Sequence, residues 1–380
     1  MTADTVGGVW QYSLELAEAL GAHGVEVVLA TMGAPLSSRQ RTVIRRVPNL
    51  VISESSYKLE WMEEPWADVE MAGRWLLGLE SIVQPDIIHL NSYVHAALPW
   101  QAPKLIVAHS CVYSWFAAVQ GHEPPPSWER YRKSVSEGLR RADAVTAPTA
   151  SMLAVLENFY GSFQSAGRIF NGRNAEAHSP AEKESFVLTA GRLWDEAKNI
   201  AALERVAQHI QWPVFAAGPA AHPDGGTASF VKLKLLGNLD GRELARWMGR
   251  AAIYALPARY EPFGLSVLEA ALAGCALVLG DIPSLRELWD EAALFVPPDD
   301  DATLQEALDC LTSNTPFRNK FARRARARAL QFSPEHMARE YLSLYRRMAS
   351  EKGKQGPLMR DHSARSTPDP TGRLRILRLQ

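Results

Sequence analysis

The stretch Tyr260-Glu261-Pro262-Phe263-Gly264-Leu265-Ser266-Val267-Leu268-Glu269, continuing through Ala270-Ala271-Leu272-Ala273-Gly274, decides how the rest of the chain is read. An apolar run from Ala251 to Pro257 enters it as a strand, and Pro262 and Gly264 then break the chain. Leu265, Leu268 and Leu272 next fall on one helical face, which Gly274 ends. Glu261 therefore lies in a loop, and Glu269, eight residues on, lies more than a turn into a helix. Two carboxylates so placed can face one cleft from different heights. Ionised carboxylates only accept hydrogen bonds, which suits a polyhydroxyl ligand such as a sugar or a ribose. The free backbone N–H groups at the helix start favour a phosphate between them. The plainer alternative is that Glu261 caps the helix and Glu269 is a solvated surface acid.

Moving outward, Ala190-Gly191-Arg192-Leu193-Trp194-Asp195-Glu196-Ala197-Lys198-Asn199 leaves a strand through a glycine. Lys198 is expected to begin the next helix, so Arg192 and Lys198 meet at a strand's carboxyl edge. Arg with its planar fork and Lys as a point charge make a clamp for a diphosphate. The competing reading is a pair of surface cations partnered by Asp195 and Glu196. Near the start, Thr5-Val6-Gly7-Gly8-Val9-Trp10 reads as a glycine loop opening a helix, yet only Met1 to Asp4 precede it where a central strand belongs. A first strand that is truncated is one reading; a second assigns that place to Leu374-Arg375-Ile376-Leu377-Arg378-Leu379.

Asp86-Ile87-Ile88-His89-Leu90-Asn91 and Ile106-Val107-Ala108-His109-Ser110 each end a strand with polar residues, at the edge where open parallel sheets bind ligands. His89 and His95 read as packing or acceptor-side residues. Trp10, Trp61, Trp66, Trp75, Trp100, Trp115 and Trp128 crowd the first half, where indoles either fill the core or stack on a carbohydrate acceptor.

Short apolar runs alternate with amphipathic stretches along nearly the whole chain, the pattern of parallel sheets covered by helices. Expected strands are Val25–Thr31, Leu50–Ile52, Ile87–Leu90, Leu105–Ala108 and Ala144–Ala147, then Phe186–Ala190, Val214–Ala217, Lys232–Leu236, Ile253–Leu256, Ala276–Leu279 and Leu294–Val296. A chain of 380 residues fits two domains of about 150 to 200 residues each. The turn-rich Arg168 to Arg173 divides them.

A net charge of −1 argues against binding nucleic acid by phosphate neutralisation. Cys111, Cys275 and Cys310 have no metal-ligand spacing and point to reduced thiols. No stretch has the length and apolarity of a signal peptide or a membrane span. Asp299-Asp300-Asp301 follows Pro297-Pro298 and opens a helical pattern, which favours capping over a metal site. The basic run Arg318, Lys320, Arg323, Arg324, Arg326 and Arg328 is a solvated helical face or a contact for anionic headgroups.

The pattern Glu261-Pro262-Phe263-Gly264-Leu265-x-x-x-Glu269, with the Gly191-Arg192…Lys198-Asn199 segment, resembles the signature of family 4 glycosyltransferases (glycosyltransferases group 1), retaining enzymes of the GT-B fold. The resemblance implies an α/β chain with two Rossmann-like, doubly wound domains facing across a cleft. Residues 1–172 would form the acceptor-side domain, 173–333 the donor domain and 334–351 a helix crossing back, with 352–380 a disordered tail. It places Glu261 and His109 on the donor sugar, Glu269 on the ribose hydroxyls, and Arg192 and Lys198 on the diphosphate. Gly7, Gly8, Gly191, Phe263, Gly264 and Leu265 would line the donor, and Asn238 and Leu239 would offer main chain to the base.

Glu261, His109, Arg192 and Lys198 are thus the expected catalytic set of a hexosyltransferase-like, metal-independent enzyme. It would need no cofactor, a nucleotide sugar being its substrate. A carbohydrate or lipid-linked hydroxyl would accept the sugar, as in polysaccharide biosynthesis. The implied location is cytoplasmic, with peripheral contact at the inner membrane face left open. The rival readings are a nucleotide-sugar epimerase or phosphorylase on the same fold, and a binding protein with impaired catalysis.

Overall fold

The structure is a computed structural model that describes residues 1–5, 7–221 and 226–355. Its first half carries the strands β1 (Thr2–Asp4), β2 (Val27–Met32), β3 (Leu50–Glu54), β4 (Ile88–Leu90), β5 (Lys104–Val107), β6 (Ala144–Ala147) and β7 (Ala166–Arg168). The second half carries β8 (Glu184–Ala190), β9 (Val214–Ala217), β10 (Lys234–Gly237), β11 (Ala251–Leu256), β12 (Ala276–Gly280) and β13 (Ala293–Val296). Every ladder between these strands is parallel, as helical crossovers require. The strands of β11 and β12 are buried residue for residue, which explains why they read as unbroken apolar runs.

In the second half the strand order is β10-β9-β8-β11-β12-β13, so the winding reverses between β8 and β11. The crevice outside the carboxyl ends of those two strands is where such a sheet binds ligands. In the first half β3-β2-β1 and β4-β5-β6-β7 form two ladders. They meet at β1 and β4 through one residue: the Asn91 backbone N–H donates to Thr2 Oγ1 (2.9 Å) and its side-chain Nδ2 to the Thr2 carbonyl (2.7 Å). That junction is the reversal point of the first domain, and a side-chain amide stands in for a backbone ladder there.

A first strand of three residues is present ahead of the glycine loop. Thr2–Asp4 pairs in register with Ala30–Met32, Ala3 is buried, and the Met1 ammonium donates to the Val28 carbonyl at 2.8 Å. The segment Leu374–Leu379, the other candidate for that place, lies outside the described residues, as does the expected tail from 356 onward. The last helix runs Pro334–Gln355, beyond the expected 351, and packs along Gly8–Gly21 through Met337, Tyr341 and Leu344.

The basic helix Thr315–Ala329 differs in part from expectation. Arg318 donates to the Leu311 carbonyl (2.7 Å), Arg326 to Leu272 (3.1 Å), Arg328 to Leu288 (2.8 Å) and Arg324 to Glu291 (3.2 Å). Leu311, Leu272 and Leu288 lie in the last turns of three neighbouring helices, whose unpaired carbonyls and negative dipole ends attract cations. Arg318 and Arg328 are half-buried and fasten this helix to its neighbours, while Lys320, Arg323, Arg324 and Arg326 stay exposed, so much of the run is the solvated face that the sequence offered.

Among the described residues the chain crosses between the domains twice, and the crossings touch. A side-chain carbon on Gly172 would fall 2.4 Å from the Ser333 backbone, and Arg173 N–H donates to the Phe332 carbonyl at 3.1 Å. Only glycine permits that approach.

Candidate active site

The motif that opened the chain's reading forms the expected strand, loop and helix. Strand β11 ends at Leu256, and Gly264 takes φ 86°, a left-handed conformation that glycine adopts without strain. The helix Leu265–Leu272 starts immediately after it. Across from it the helix Gly8–Gly21 begins at a second glycine loop. The two helix starts oppose one another closely: a carbon added at Gly8 would lie 3.5 Å from Leu265 Cδ1, and one at Gly7 would lie 3.4 Å from Arg192 Nη1. Two sets of free N–H groups and a guanidinium therefore converge on one crevice between the domains.

Lys198 does not start a helix. It closes a 3₁₀ turn, Glu196–Lys198, and Asn199 in the left-handed region separates it from the helix Ile200–Val206. The turn aims Lys198 Nζ at Glu261 Oε2, 2.6 Å away, with both side chains largely buried. Arg192 donates to Asp195 Oδ2 at 2.6 Å, and Asp195 Oδ1 accepts the Ala197 N–H at 3.0 Å. Burial alone would raise the Asp195 carboxyl, but Arg192, Lys198 and these hydrogen bonds outweigh it and hold it below its usual value. The pairing of Arg192 with Asp195 is the one the competing reading gave, and in the fold Asp195 orients the guanidinium toward Gly7.

Glu269 is 5% exposed, so the solvated-acid reading fails for it. Arg173 holds it at 2.7 Å and reaches Glu15 on the first domain at 2.6 Å, all three side chains being nearly enclosed. Burial raises the Glu15 carboxyl against the opposing pull of Arg173, and burial lowers the neighbouring His178. Arg173, Glu15 and His178 were not singled out from the sequence. A buried arginine spanning 158 residues has no local pattern to betray it.

The Phe263 side chain turns into the core against Phe332 (centroids 5.9 Å), leaving its main chain for the loop. Gly191 follows β8 at the same edge, while Asn238 is exposed and Leu239 half-buried after β10. The acidic run divides its attention: Asp299 pairs with Arg259 (2.6 Å), Asp301 with Arg205, and Asp300 caps a helix through Thr303 N–H (3.0 Å).

On the first domain His109 follows β5 and is half-buried, its Nε2 2.9 Å from Asn91 Oδ1 and its ring edge-on to Tyr12 at 4.5 Å. Burial lowers its pKa to about 3, so it is neutral at physiological pH. His89 is buried beside it, with Nδ1 2.6 Å from Tyr345 Oη on the last helix, and burial lowers it well below the usual imidazole value. His95 lies elsewhere, bonded to the Val69 carbonyl at 3.1 Å. Of the tryptophans, Trp10 lies in the core, Trp66 lies under Arg130 (4.5 Å) and Trp100 donates to the His95 carbonyl (2.7 Å). Trp115 alone among them bonds across the crevice, to Asp195 Oδ1 at 3.4 Å.

Residues 6–176 match the family described as Glycosyltransferase Family 4, and residues 172–328 match Glycosyl transferases group 1. The chain belongs to this family of glycosyltransferases.

Among curated relatives, it is 33% identical over 129 residues to a D-inositol 3-phosphate glycosyltransferase of Nocardioides, a match spanning 33% of this chain and 28% of that one. It is 27% identical over 303 residues to a glycogen synthase of Mycobacterium tuberculosis, spanning 74% of this chain and 73% of that one. The sucrose-phosphate synthase of Thermosynechococcus elongatus superposes with a TM-score of 0.77 at 19% identity, over 92% of this chain and 95% of that one. Anabaena HepE in complex with UDP-glucose superposes at 0.71 with 15% identity, over 93% of this chain and 98% of that one. The fold is GT-B, two Rossmann-like domains about a cleft. Among the described residues no helix is long and apolar enough to cross a membrane.

Proposed function

We propose that this glycosyltransferase moves a sugar from a nucleoside diphosphate donor to a hydroxyl acceptor with retention at the anomeric carbon. The observation that carries this reading is the meeting of Lys198–Glu261, Arg192 and two glycine-opened helix starts at one crevice. A departing diphosphate accumulates negative charge on its oxygens, and preorganised cations and N–H dipoles stabilise that charge as it develops. Arg192 and Lys198 would exchange their carboxylate partners for phosphate oxygens. Glu261, released by Lys198, would accept sugar hydroxyls, and Glu269 those of the ribose. The anomeric C–O bond to the diphosphate breaks, the acceptor oxygen bonds to the same face, and the acceptor's proton passes to a departing phosphate oxygen.

The binding of UDP-glucose by a protein of the same fold supports a nucleotide-sugar donor. We place the donor domain at 173–333, because Arg192, Lys198, Glu261 and Glu269 all lie there, and the acceptor domain at 1–172. The test is a thermal-shift panel of nucleoside diphosphates and their sugars, since a ligand that binds the folded state raises its melting temperature. It is followed by transfer of labelled sugar to simple glycoside and lipid-linked acceptors. Stabilisation by one nucleotide sugar and acceptor-dependent transfer of the α- or β-anomer present in the donor is expected. Product of inverted anomeric configuration, or release of isomerised sugar without acceptor, would overturn the reading.

A further inference from the structure

We propose that Asn91 is a positioning residue that fixes His109 as the Nε2–H tautomer, so that the ring offers Nδ1 as a hydrogen-bond acceptor to a ligand hydroxyl. The Thr2 carbonyl can only accept. The Asn91 side-chain atom 2.7 Å from it must be the amide nitrogen, and the same nitrogen lies 3.2 Å from Ser13 Oγ. The remaining side-chain atom, Oδ1, is then an acceptor, and it lies 2.9 Å from His109 Nε2. A ring nitrogen facing an acceptor at that distance carries the proton. In a neutral imidazole the other nitrogen keeps its lone pair.

His89 also faces this oxygen, its Nε2 3.3 Å from Oδ1 and 3.3 Å from Tyr12 Oη, with its Nδ1 2.6 Å from Tyr345 Oη. One amide oxygen thus faces two imidazoles, and its orientation is anchored on β1 at the junction of the two ladders. The consequence is chemical selectivity: a histidine so held accepts from hydroxyls and has no proton on Nδ1 for a phosphate or carbonyl oxygen. This rests on the proposed placement of His109 beside the donor sugar, and the experiment separates the two.

Long-range proton–nitrogen NMR correlations on the full chain labelled with ¹⁵N-histidine distinguish the two neutral tautomers, with His109→Gln assigning the signal. The Nε2–H pattern is expected at neutral pH, and an Nδ1–H or doubly protonated ring would overturn the inference. Asn91→Asp keeps an acceptor for His109 and should keep the tautomer; Asn91→Leu removes it and should give a mixture. Retention of a pure Nε2–H form in Asn91→Leu would overturn the role of Asn91 even if wild type behaves as expected.

UDP-glucose and UDP are then added. A shift of Nδ1 with the sugar nucleotide only supports the hydroxyl contact. An unmoved Nδ1 on a protein that UDP-glucose stabilises overturns that contact while the tautomer lock stands. In transfer assays Asn91→Leu should lose on the order of tenfold in kcat, the scale of one lost hydrogen bond.

Discussion

The two walls of the crevice are built on opposite electrostatic plans. The wall formed by the second domain is ionic: Lys198 with Glu261, Arg192 with Asp195, and Arg173 shared between Glu269 and Glu15. Apart from Glu15, which Arg173 reaches, the wall formed by the first domain is neutral, a net of Thr2, Tyr12, Ser13, His89, Asn91 and His109 joined by uncharged hydrogen bonds. On the proposed reading, the two plans suit two kinds of ligand group. Ion pairs held at 2.6 Å are desolvated charges kept in place by each other, ready to trade partners when an anion arrives. Neutral groups cannot follow a moving charge, but they can hold hydroxyls in fixed directions.

The sharpest way to break this contrast is Arg173→Ala, which strands two enclosed carboxylates. A loss of about 3–5 kcal/mol of stability in urea unfolding is expected, with Glu15→Gln costing less because Arg173 keeps Glu269 as a partner. A mild effect for Arg173→Ala would mean that the charges of this wall are not dependent on one another. Next in size, Lys198→Ala should slow turnover about 10²–10³-fold, far beyond its effect on the melting temperature. Normal turnover in that variant would remove Lys198 from the reaction.

The neutral wall is probed by pH. His109 unfolded takes up a proton near its ordinary value of 6.5, but folded only near 3. Its contribution to stability is therefore complete above pH 6.5 and is lost as the pH falls through that window toward 3. His109→Gln should flatten the fall in melting temperature between those limits, in part only, since His89 is lowered in the same direction. An unchanged profile would mean His109 titrates normally. The smallest effect is expected at the fastening helix: Arg326→Ala should cost about 0.5–1.5 kcal/mol. If it left stability untouched but weakened sedimentation with anionic vesicles, the lipid-facing reading would be restored.

The architecture and half of the site could be read from the sequence because they are local. Eleven of the later strands announce themselves as apolar runs, and Glu261 to Glu269 carries its loop and helix in consecutive residues. What stayed hidden is non-local or too short for a pattern. Strand β1 is three residues long and is secured by Asn91, which is 89 positions away from Thr2. Strand β7 is an edge of Ala166, Gly167 and Arg168 with no buried member, so nothing in it alternates. Arg173 looked like a turn residue, and Arg318 and Arg328 looked like part of a polar face, because the carbonyls that receive them belong to other helices. Lys198 was placed on a helix because Asn199, which interrupts it with φ 53°, leaves no signature in composition.

The paired crossings at Gly172 and Ser333 have a mechanical meaning. Two chain segments in backbone contact behave as a hinge pin: they resist twisting of one domain about the long axis and leave bending about their common line as the soft motion. A single covalent strap would allow the walls to arrive in many orientations. Two straps at one point hold the ionic wall opposite the neutral one, in the registry at which Gly8 faces Leu265.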